Sequence, residues 1–445
     1  MRTKLLVLVV ATALVVGATY VARAATADGA HGRGRASLTV DGVDAGAGST
    51  NEAELDRLIG DFENDVHAHP TSTGLSFLGG LYLQRARVTG DLDTYLQAGT
   101  AIDAARRMAP TDAETLGREA SFLYRTHDFS GAERLSAQIV ASDPEAYGAM
   151  AVRGDALVEL GDYRTAGRIY EHLAAVAPQT AAVDVRRSHL AFLEGRETDA
   201  KQLARAAERE ALDSGEFGVG LAYYREAPGQ LAFDSGHYDD AARAEESALR
   251  AAPGYYASLA LLAKARAAQG RIDDAISLYE RAVAIVPQPD YLGALGDLYA
   301  IKGDSRRAEQ EYRTVELIGT LAQINRQVYN RLVATFDADH DRNVAEAVRL
   351  AGSELRVRKD VFGYDTYAWA LLEAGRVAEA RDASDHALAL GTHDPRMLYH
   401  AGMIAKAQGD AARARALLRR ALALSPHFDP LQAPRARAAL AALGG

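Results

Sequence analysis

Ten alanines set the frame for this chain: Ala98, Ala132, Ala166, Ala200, Ala241, Ala275, Ala308, Ala347, Ala380 and Ala414. Their intervals are 34, 34, 34, 41, 34, 33, 39, 33 and 34 residues, so seven of nine fall within one residue of 34. Prolines keep the same step from Pro110 to Pro144 to Pro178, and again from Pro253 to Pro287. A unit of this length holds one supersecondary element and cannot bury a hydrophobic face alone. Identical units must stack on their neighbours, and the stack has no single globular core.

Each period has one anatomy. A helix-length segment comes first, then a turn marked by glycine (Gly161, Gly195, Gly236, Gly270, Gly303, Gly375, Gly409), then a second helix-length segment that proline closes in the best copies. YASLALLAKARAAQGRIDDAISLYERAVAIVP, from Tyr256 to Pro287, is the clearest. Leu259, Leu262 and Ala263 share a face of its first helix at i, i+3, i+4 spacing, and Ala275, Leu278, Tyr279 and Ala282 share one of the second. Gly270 ends the first helix and Pro287 stops the second.

These residues resemble the tetratricopeptide repeat, whose pattern sets a small residue in the first helix against Ala, an aromatic, Ala and Pro in the second. Tyr147–Thr180 carries Gly154, Ala166, Tyr170 and Pro178, with Leu173 where the pattern has Ala. Tyr256–Pro287 carries Ala263, Ala275, Tyr279, Ala282 and Pro287, and Pro395–Pro426 carries Gly402, Ala414, Leu418, Ala421 and Pro426. The tryptophan near the start of the family's first helix is missing from every copy. The resemblance spans Gly74 to Pro426 and implies an all-α fold, a right-handed α-solenoid of about ten helix-turn-helix repeats. The expected layout is a solenoid over 51–426 and a C-terminal capping helix in 427–445, where FDPLQAPRARAALAALGG keeps helical apolar periodicity. The seven extra residues near LDSGEFGVG read as a loop inserted between repeats. The five extra in ELIGTLAQINRQVYNRLV read as lengthened helix.

Ahead of the repeats, MRTKLLVLVVATALVVGATYVARAATADGA has a positive start (Arg2, Lys4), an apolar run from Leu5 to about Ala22, and the small-x-small pattern Ala22-Arg23-Ala24. Residues 1–24 are expected to be a signal peptide or a single N-terminal membrane anchor, and either places the body outside the cytoplasm, secreted, periplasmic or tethered in the cell envelope. Residues 25–50 hold six Gly and six Ala among 26 positions and read as a flexible linker. The formal charge of −10 becomes −13 if Arg2, Lys4 and Arg23 are removed, and there is no basic run, so no nucleic-acid partner is expected. Without cysteine there is no disulfide, thiolate metal site or lipidated thiol, and packing alone must hold the fold.

One stretch invites a metal. FDADHDRN, residues 336–343, offers Asp337, Asp339, His340 and Asp341 within five positions. As a calcium loop it fails twice, with Arg342 in place of the sixth-position glycine and Val348 in place of the twelfth-position glutamate. By repeat register, Asp341, Arg342 and Asn343 align with Leu160, Gly161 and Asp162, so the expected reading is the turn between two helices, with no metal and no cofactor. Asp65, His67 and His69, and the evenly spaced His386, His393 and His400, lack a common face or a further ligand. No phosphate loop or nucleophile elbow occurs, and the repeats take up almost the whole chain, so no enzyme is expected.

The resemblance further implies that the first helix of each repeat lines a concave groove. Carried over copy by copy, the groove would hold Tyr124, Arg125, Asp155, Glu159, His189 and Phe192 from the early repeats. Tyr223, Glu226, Gln230, Phe233, Lys264 and Asp297 would come from the middle ones, and Trp369, Tyr399 and Lys406 from the last. Aromatics among charges of both signs suit a protein or peptide ligand. The expected function is therefore a non-enzymatic, extracytoplasmic binding scaffold. The alternatives are a self-assembling structural solenoid and, more remotely, a metal-dependent hydrolase built on Asp337, Asp339 and His340.

Overall fold

The structure is a computed structural model that describes residues 52–89, 91–324 and 330–444. The segments read as signal peptide or anchor (1–24) and as linker (25–50) lie outside the described residues. Within them the chain forms 22 α-helices and no strand. Helix α1 (Glu52–Ala68) precedes ten helix pairs. The first five pairs are α2 (Ser72–Thr89) with α3 (Leu92–Met108), α4 (Ala113–Arg125) with α5 (Phe129–Ser142), α6 (Tyr147–Glu159) with α7 (Tyr163–Val176), α8 (Ala181–Leu193) with α9 (Glu197–Asp213), and α10 (Gly218–Asp234) with α11 (Tyr238–Ala251). The next five are α12 (Tyr256–Ala268) with α13 (Ile272–Ile285), α14 (Pro289–Ile301) with α15 (Ser305–Ile324), α16 (Asn330–Asp339) with α17 (Val344–Glu354), α18 (Val361–Glu373) with α19 (Val377–Ala387), and α20 (Pro395–Ala407) with α21 (Ala411–Leu424). Helix α22 (Gln432–Ala442) follows.

The alanine series explains the pairing. All ten alanines sit on the second helix of a pair, and each is between 0 and 3% exposed. A methyl group at that point lets the two helices close on each other, while larger neighbours fill the flanks. Gly154 on α6 leaves the space that the Tyr170 ring of α7 occupies. Helix starts are fixed by side chains: Asp112, Asp128, Asp162, Asp360, Asp394 and Asp410 each accept a hydrogen bond from a backbone N–H of the first turn. Each such cap stabilises by about 1 kcal/mol.

The solenoid closes on itself. The α6–α7 turn meets the α17–α18 connection: the Lys359 backbone N–H donates to the Glu159 carbonyl at 2.9 Å, and the Val361 N–H donates to the Tyr163 hydroxyl at 2.8 Å. One repeat on, the α8–α9 turn meets the α19–α20 connection, where His393 Nδ1 and Glu197 Oε1 lie 2.6 Å apart. One further, the α10–α11 turn meets the segment after α21. There Tyr238 Oη is 2.9 Å from Ser425 Oγ and accepts the His427 N–H at 2.7 Å, while Ser425 Oγ donates to the Phe233 carbonyl at 3.1 Å. These partners are 198, 196 and 187 residues apart in the chain. Each turn therefore touches the connection between the fifth and sixth repeats beyond it, and the second superhelical turn rests on the first.

An ion cluster sits in this seam. Arg358 pairs with both Glu159 and Asp360, Arg331 pairs with Asp360 at 2.8 Å, and the Arg358 guanidinium lies over the Phe129 ring, 5.3 Å from its centroid. Burial pushes Asp360 upward, but the Arg331 and Arg358 guanidiniums outweigh it and hold the carboxyl below the ordinary range. Glu159, with less compensation, is lifted by burial from 4.5 to about 7.

The two irregular intervals resolve differently. The extra residues near LDSGEFGVG do not form the inserted loop expected from sequence. Most extend α9 and α10 to 17 residues each, leaving only 214–217 between them. The helix former run ETDAKQLARAAEREALD simply continues past its usual stop. The second insertion does lengthen a helix, since α15 runs 20 residues to Ile324, beyond which 325–329 are outside the described residues. At the C-terminal end, Ala433, Ala436 and Ala439 of α22 join a core with Leu398, Tyr399, Leu418 and Phe428. This core covers the apolar face of the last pair.

Candidate functional site: the enclosed interior

Because the turns stack, the concave face becomes the wall of an interior. Two connected cavities occupy it, of about 470 and about 650 Å³. They share Glu226, Gln230, Asp234, Phe362 and Asp394.

The smaller cavity is lined by Tyr124, Arg125, Asp155, Glu159, His189, Phe192, Tyr223, Glu226 and Gln230, all on the first helices of their repeats. Much of its polar lining is already satisfied. Arg186 grips Asp155 with Nε at 2.8 Å and Nη2 at 2.7 Å, Tyr170 donates to the same carboxylate at 2.8 Å, and Arg186 Nη1 donates to the Ala182 carbonyl at 2.8 Å. A two-pronged Arg–carboxylate contact of this kind is rigid as well as strong. Burial lowers His189, keeping it neutral, and raises Tyr223.

The larger cavity collects side chains from the first helices α10, α12, α14, α16, α18 and α20, from α13, and from α22 and the loop before it. Phe233, Lys264 and Asp297 are among them. Its acidic groups are Glu226, Asp234, Asp290, Asp297, Asp339, Asp365, Asp394 and Asp429, and its Lys and Arg groups are Lys264, Arg331, Arg396 and Arg437. That is eight carboxylates against four fixed cations. Some are paired: Asp339 with Arg396, Asp297 with His340 at 2.7 Å, and Asp365 with His400 at 2.8 Å. Glu226 accepts from the Tyr255 hydroxyl at 2.8 Å and Asp234 from the Gln230 amide at 2.8 Å, neither of which brings positive charge. Burial raises Glu226, lifts Asp234 to about 7 and lifts Asp290 to about 6. Asp234 is half-buried and lines both cavities.

Three residues expected in the groove lie elsewhere. Trp369 is 2% and Tyr399 0% exposed, both inside the core that α22 caps, with Trp369 stacked on His400 at a ring distance of 4.3 Å. Lys406 is exposed and lines neither cavity. The starts of α18 and α20 still line the larger cavity, while Trp369 and Tyr399, further along these helices, pack into the core that Ala433, Ala436 and Ala439 of α22 complete.

FDADHDRN is also corrected in detail. Helix α16 runs through Asp339, so the turn is shorter than residues 336–343. Its carboxylates diverge. Asp337, 2% exposed, has only the Asn343 amide, at 3.5 Å; Asp339 holds Arg396 and the Gln432 amide; His340 bridges Asp297 and the Phe336 carbonyl. Asp341 and Asn343 take left-handed backbone angles (φ 51° and 42°), the conformation short polar side chains tolerate in turns. Among the described residues no group of three or more metal-ligating side chains converges. His386 stacks on Tyr364, while His393 and His400 pair with Glu197 and Asp365, three separate environments.

Asp290, Arg331, Arg396, Asp394 and Asp429 were missed in the sequence. Asp290 and Arg396 stand in the first turns of α14 and α20, on helices that the resemblance already assigned to the groove. Asp394 and Asp429 are capping residues, and nothing in a capping pattern separates those facing the interior from those facing solvent.

The fold and its interior define a class: a helical-repeat scaffold whose concave face has been turned inward. The repeat matches the tetratricopeptide repeat family at two places, residues 232–298 and 367–427, which cover α11 to most of α14 and α19 to α21. The chain is a tetratricopeptide-repeat protein, and repeats of this family build protein-interaction scaffolds. Among solved structures it is similar to a tetratricopeptide repeat protein from Parabacteroides merdae ATCC 43184, at 14% identity and a TM-score of 0.41 over 58% of this chain and 93% of that one. The human IFIT1 dimer with PPP-AAAA overlaps at 14% identity and a TM-score of 0.44, over 84% of this chain and 95% of that one. The APC/C hetero-tetramer Cut9-Hcn1 overlaps at 13% identity and 0.32, over 87% and 94%. No curated protein matches the chain.

Proposed function

We propose that the chain is a non-enzymatic scaffold that holds a peptide segment of a protein partner inside its closed superhelix, on the extracytoplasmic side of a membrane. One observation carries the reading: the first helices of six successive repeats, α10 to α20, bring their polar and aromatic side chains to one interior space of about 650 Å³. That lies within the range of specific ligand cavities, and its mix of Phe233, Tyr279, Phe336 and Phe362 with charged groups suits a peptide's backbone and side chains. The hydrolase reading loses its support, since Asp337 lines neither cavity and Asp339 and His340, which do line the larger one, are held by separate partners.

The test fills the interior without cutting the core. Ala257 and Ala294 line the cavity and are only partly buried. An Ala257→Trp/Ala294→Trp variant should keep the parent's helical melt and lose the partner that residues 51–445 capture from envelope proteins. Equal capture by both proteins would move the interface off the interior. The extracytoplasmic placement rests on residues 1–24, and a fused reporter active only after export should be active behind them and inactive when they are deleted.

A further inference from the structure

A second opening lies outside the interior. Between the third and fourth repeats, α7, α8 and α9 frame a groove of about 660 Å³, and of its lining only Tyr170 also touches the interior. Leu190 of α8 and Leu203 and Ala206 of α9 supply apolar lining. Four arginines stand around it: Arg187 on α8, Arg196 just ahead of α9, and Arg205 and Arg209 on α9. The acids in the lining are Glu171 and Asp199.

Two of the four arginines are balanced. Arg187 pairs with Glu171 and Asp184, both at 3.0 Å, and Arg196 pairs with Glu194 and Asp199, both at 2.7 Å. Arg205 and Arg209 are exposed, and neither has an ion pair or hydrogen bond among the described residues. The sequence of α9 gives the reason. Other second helices pair an arginine with a carboxylate one turn away, as Arg243 with Asp240, Arg349 with Glu346 and Arg381 with Asp385. On α9 the positions three and four before Arg205 hold Gln202 and Lys201, and those before Arg209 hold Ala206 and Arg205. On the other side, Glu208 is taken by Arg225 at 3.3 Å, and Asp213 lies outside the lining of the groove.

A single exposed arginine needs only water. Two of them one turn apart, on a groove that two further guanidiniums share, attract anions in a chain whose formal charge is −10. Arg205 and Arg209 stand about 6 Å apart along the helix axis. Side chains on one side of an extended strand are about 7 Å apart. Carboxylates at alternate positions of such a strand can each meet one guanidinium fork, with the strand's apolar parts against Leu190 and Leu203.

We propose that this outer groove docks an extended acidic segment of a protein partner, with carboxylates at alternate positions on Arg205 and Arg209. The proposal does not depend on what the interior holds.

Calorimetric titration of the full chain tests it, with capped peptides of four Glu-Gly, Lys-Gly or Ala-Gly repeats. Only the glutamate peptide should bind, and Arg205→Gln/Arg209→Gln should weaken it roughly fivefold or more. Neither side chain has a partner to lose, so the helical melt should stay that of the parent. Ala206→Glu sets a carboxylate three residues before Arg209 and should weaken the peptide in the same direction. The Ala257→Trp/Ala294→Trp variant, filled in the interior, should bind as the parent does. Glutamate-peptide binding that is absent, that is matched by the alanine peptide, that survives both α9 variants, or that only the interior variant loses would overturn the proposal. Inorganic phosphate bound as tightly, with the same arginine dependence, would overturn the peptide ligand and leave an anion site. Self-association of the parent by light scattering, lost in Arg205→Gln/Arg209→Gln, would overturn it in favour of a second copy of the chain.

Discussion

At the residue scale, the clearest consequence of the enclosed interior is titration. Burial raises the Asp234 carboxyl from 3.8 to about 7. An acid whose folded value lies above its unfolded value is a burden at high pH, and the burden lifts as pH falls through the folded value. Asp234→Asn should therefore be more stable than the parent at about pH 8, by on the order of 1 kcal/mol, with the gain shrinking toward about pH 5. The comparison must be a difference between the two proteins. Burial also lowers His127 to about 4 and lowers His189, so both proteins lose stability as pH falls below the ordinary histidine value. Thermal melts of both proteins at the two pH values give the answer, and a gain that grows toward acid would contradict it. Trp369 belongs at this scale as well. Buried and stacked on His400, it should cost about 3–5 kcal/mol as Trp369→Ala, and binding by the protein that stays folded should be unchanged. Its position on the first helix was legible; its direction was not. One residue turns about 100° around a helix, so a register good to within one position cannot separate the groove from the packing face.

At the scale of elements, the helix pairs were legible because each alanine marks the same contact and the period repeats it ten times. The lengthened α9 and α10 were not, since a glycine-containing insertion reads as a loop until the strong helix formers on both sides are weighed. The turns offer a sharper test. Gly161 and Gly270 have almost the same backbone angle (φ +81° and +76°), and both end the first helix of a pair. A methyl group at Gly270 would meet nothing within 4 Å, whereas at Gly161 it would approach the Lys359 carbonyl to 2.7 Å across the seam. Gly270→Ala should cost about 1 kcal/mol from backbone conformation alone, and Gly161→Ala clearly more. Equal losses in denaturant melts would mean that the seam carries no weight. The ion cluster gives an independent reading. Arg358→Met leaves Glu159 without its guanidinium and Asp360 with one of two, which should destabilise by about 3–5 kcal/mol, lost chiefly from the second superhelical turn. Hydrogen exchange at the amides of α18 to α22 would locate the loss, and a loss spread evenly over all repeats would contradict it.

At the scale of the molecule, the sequence conveys a solenoid and its register and says nothing of closure. Each repeat touches its neighbours, and those contacts are written in the period. Whether the fifth and sixth repeats on come back to touch the first depends on small rotations added up along the stack, which no residue type records. Only afterwards do Tyr163, Tyr238, Glu197 and His393 stand out as polar side chains whose partners are 187 to 198 residues away. Closure changes what the concave face is. An open groove offers an extended surface; this interior offers a bounded volume, with charge gathered from two turns at Asp234 and Asp394.

The chain has no cysteine, which makes the decisive measurement direct. Thr198 and Ala389 are exposed and flank the Glu197–His393 contact from the two superhelical turns. Spin labels on Thr198→Cys/Ala389→Cys should give one narrow, short distance by pulsed electron resonance, set by label length alone. An open superhelix would put at least the width of a helix layer, about 10 Å, between the turns and give a long, broad distribution instead. The short distance would establish the closed interior on which the proposed binding site depends, and the long one would return the concave face to an open groove.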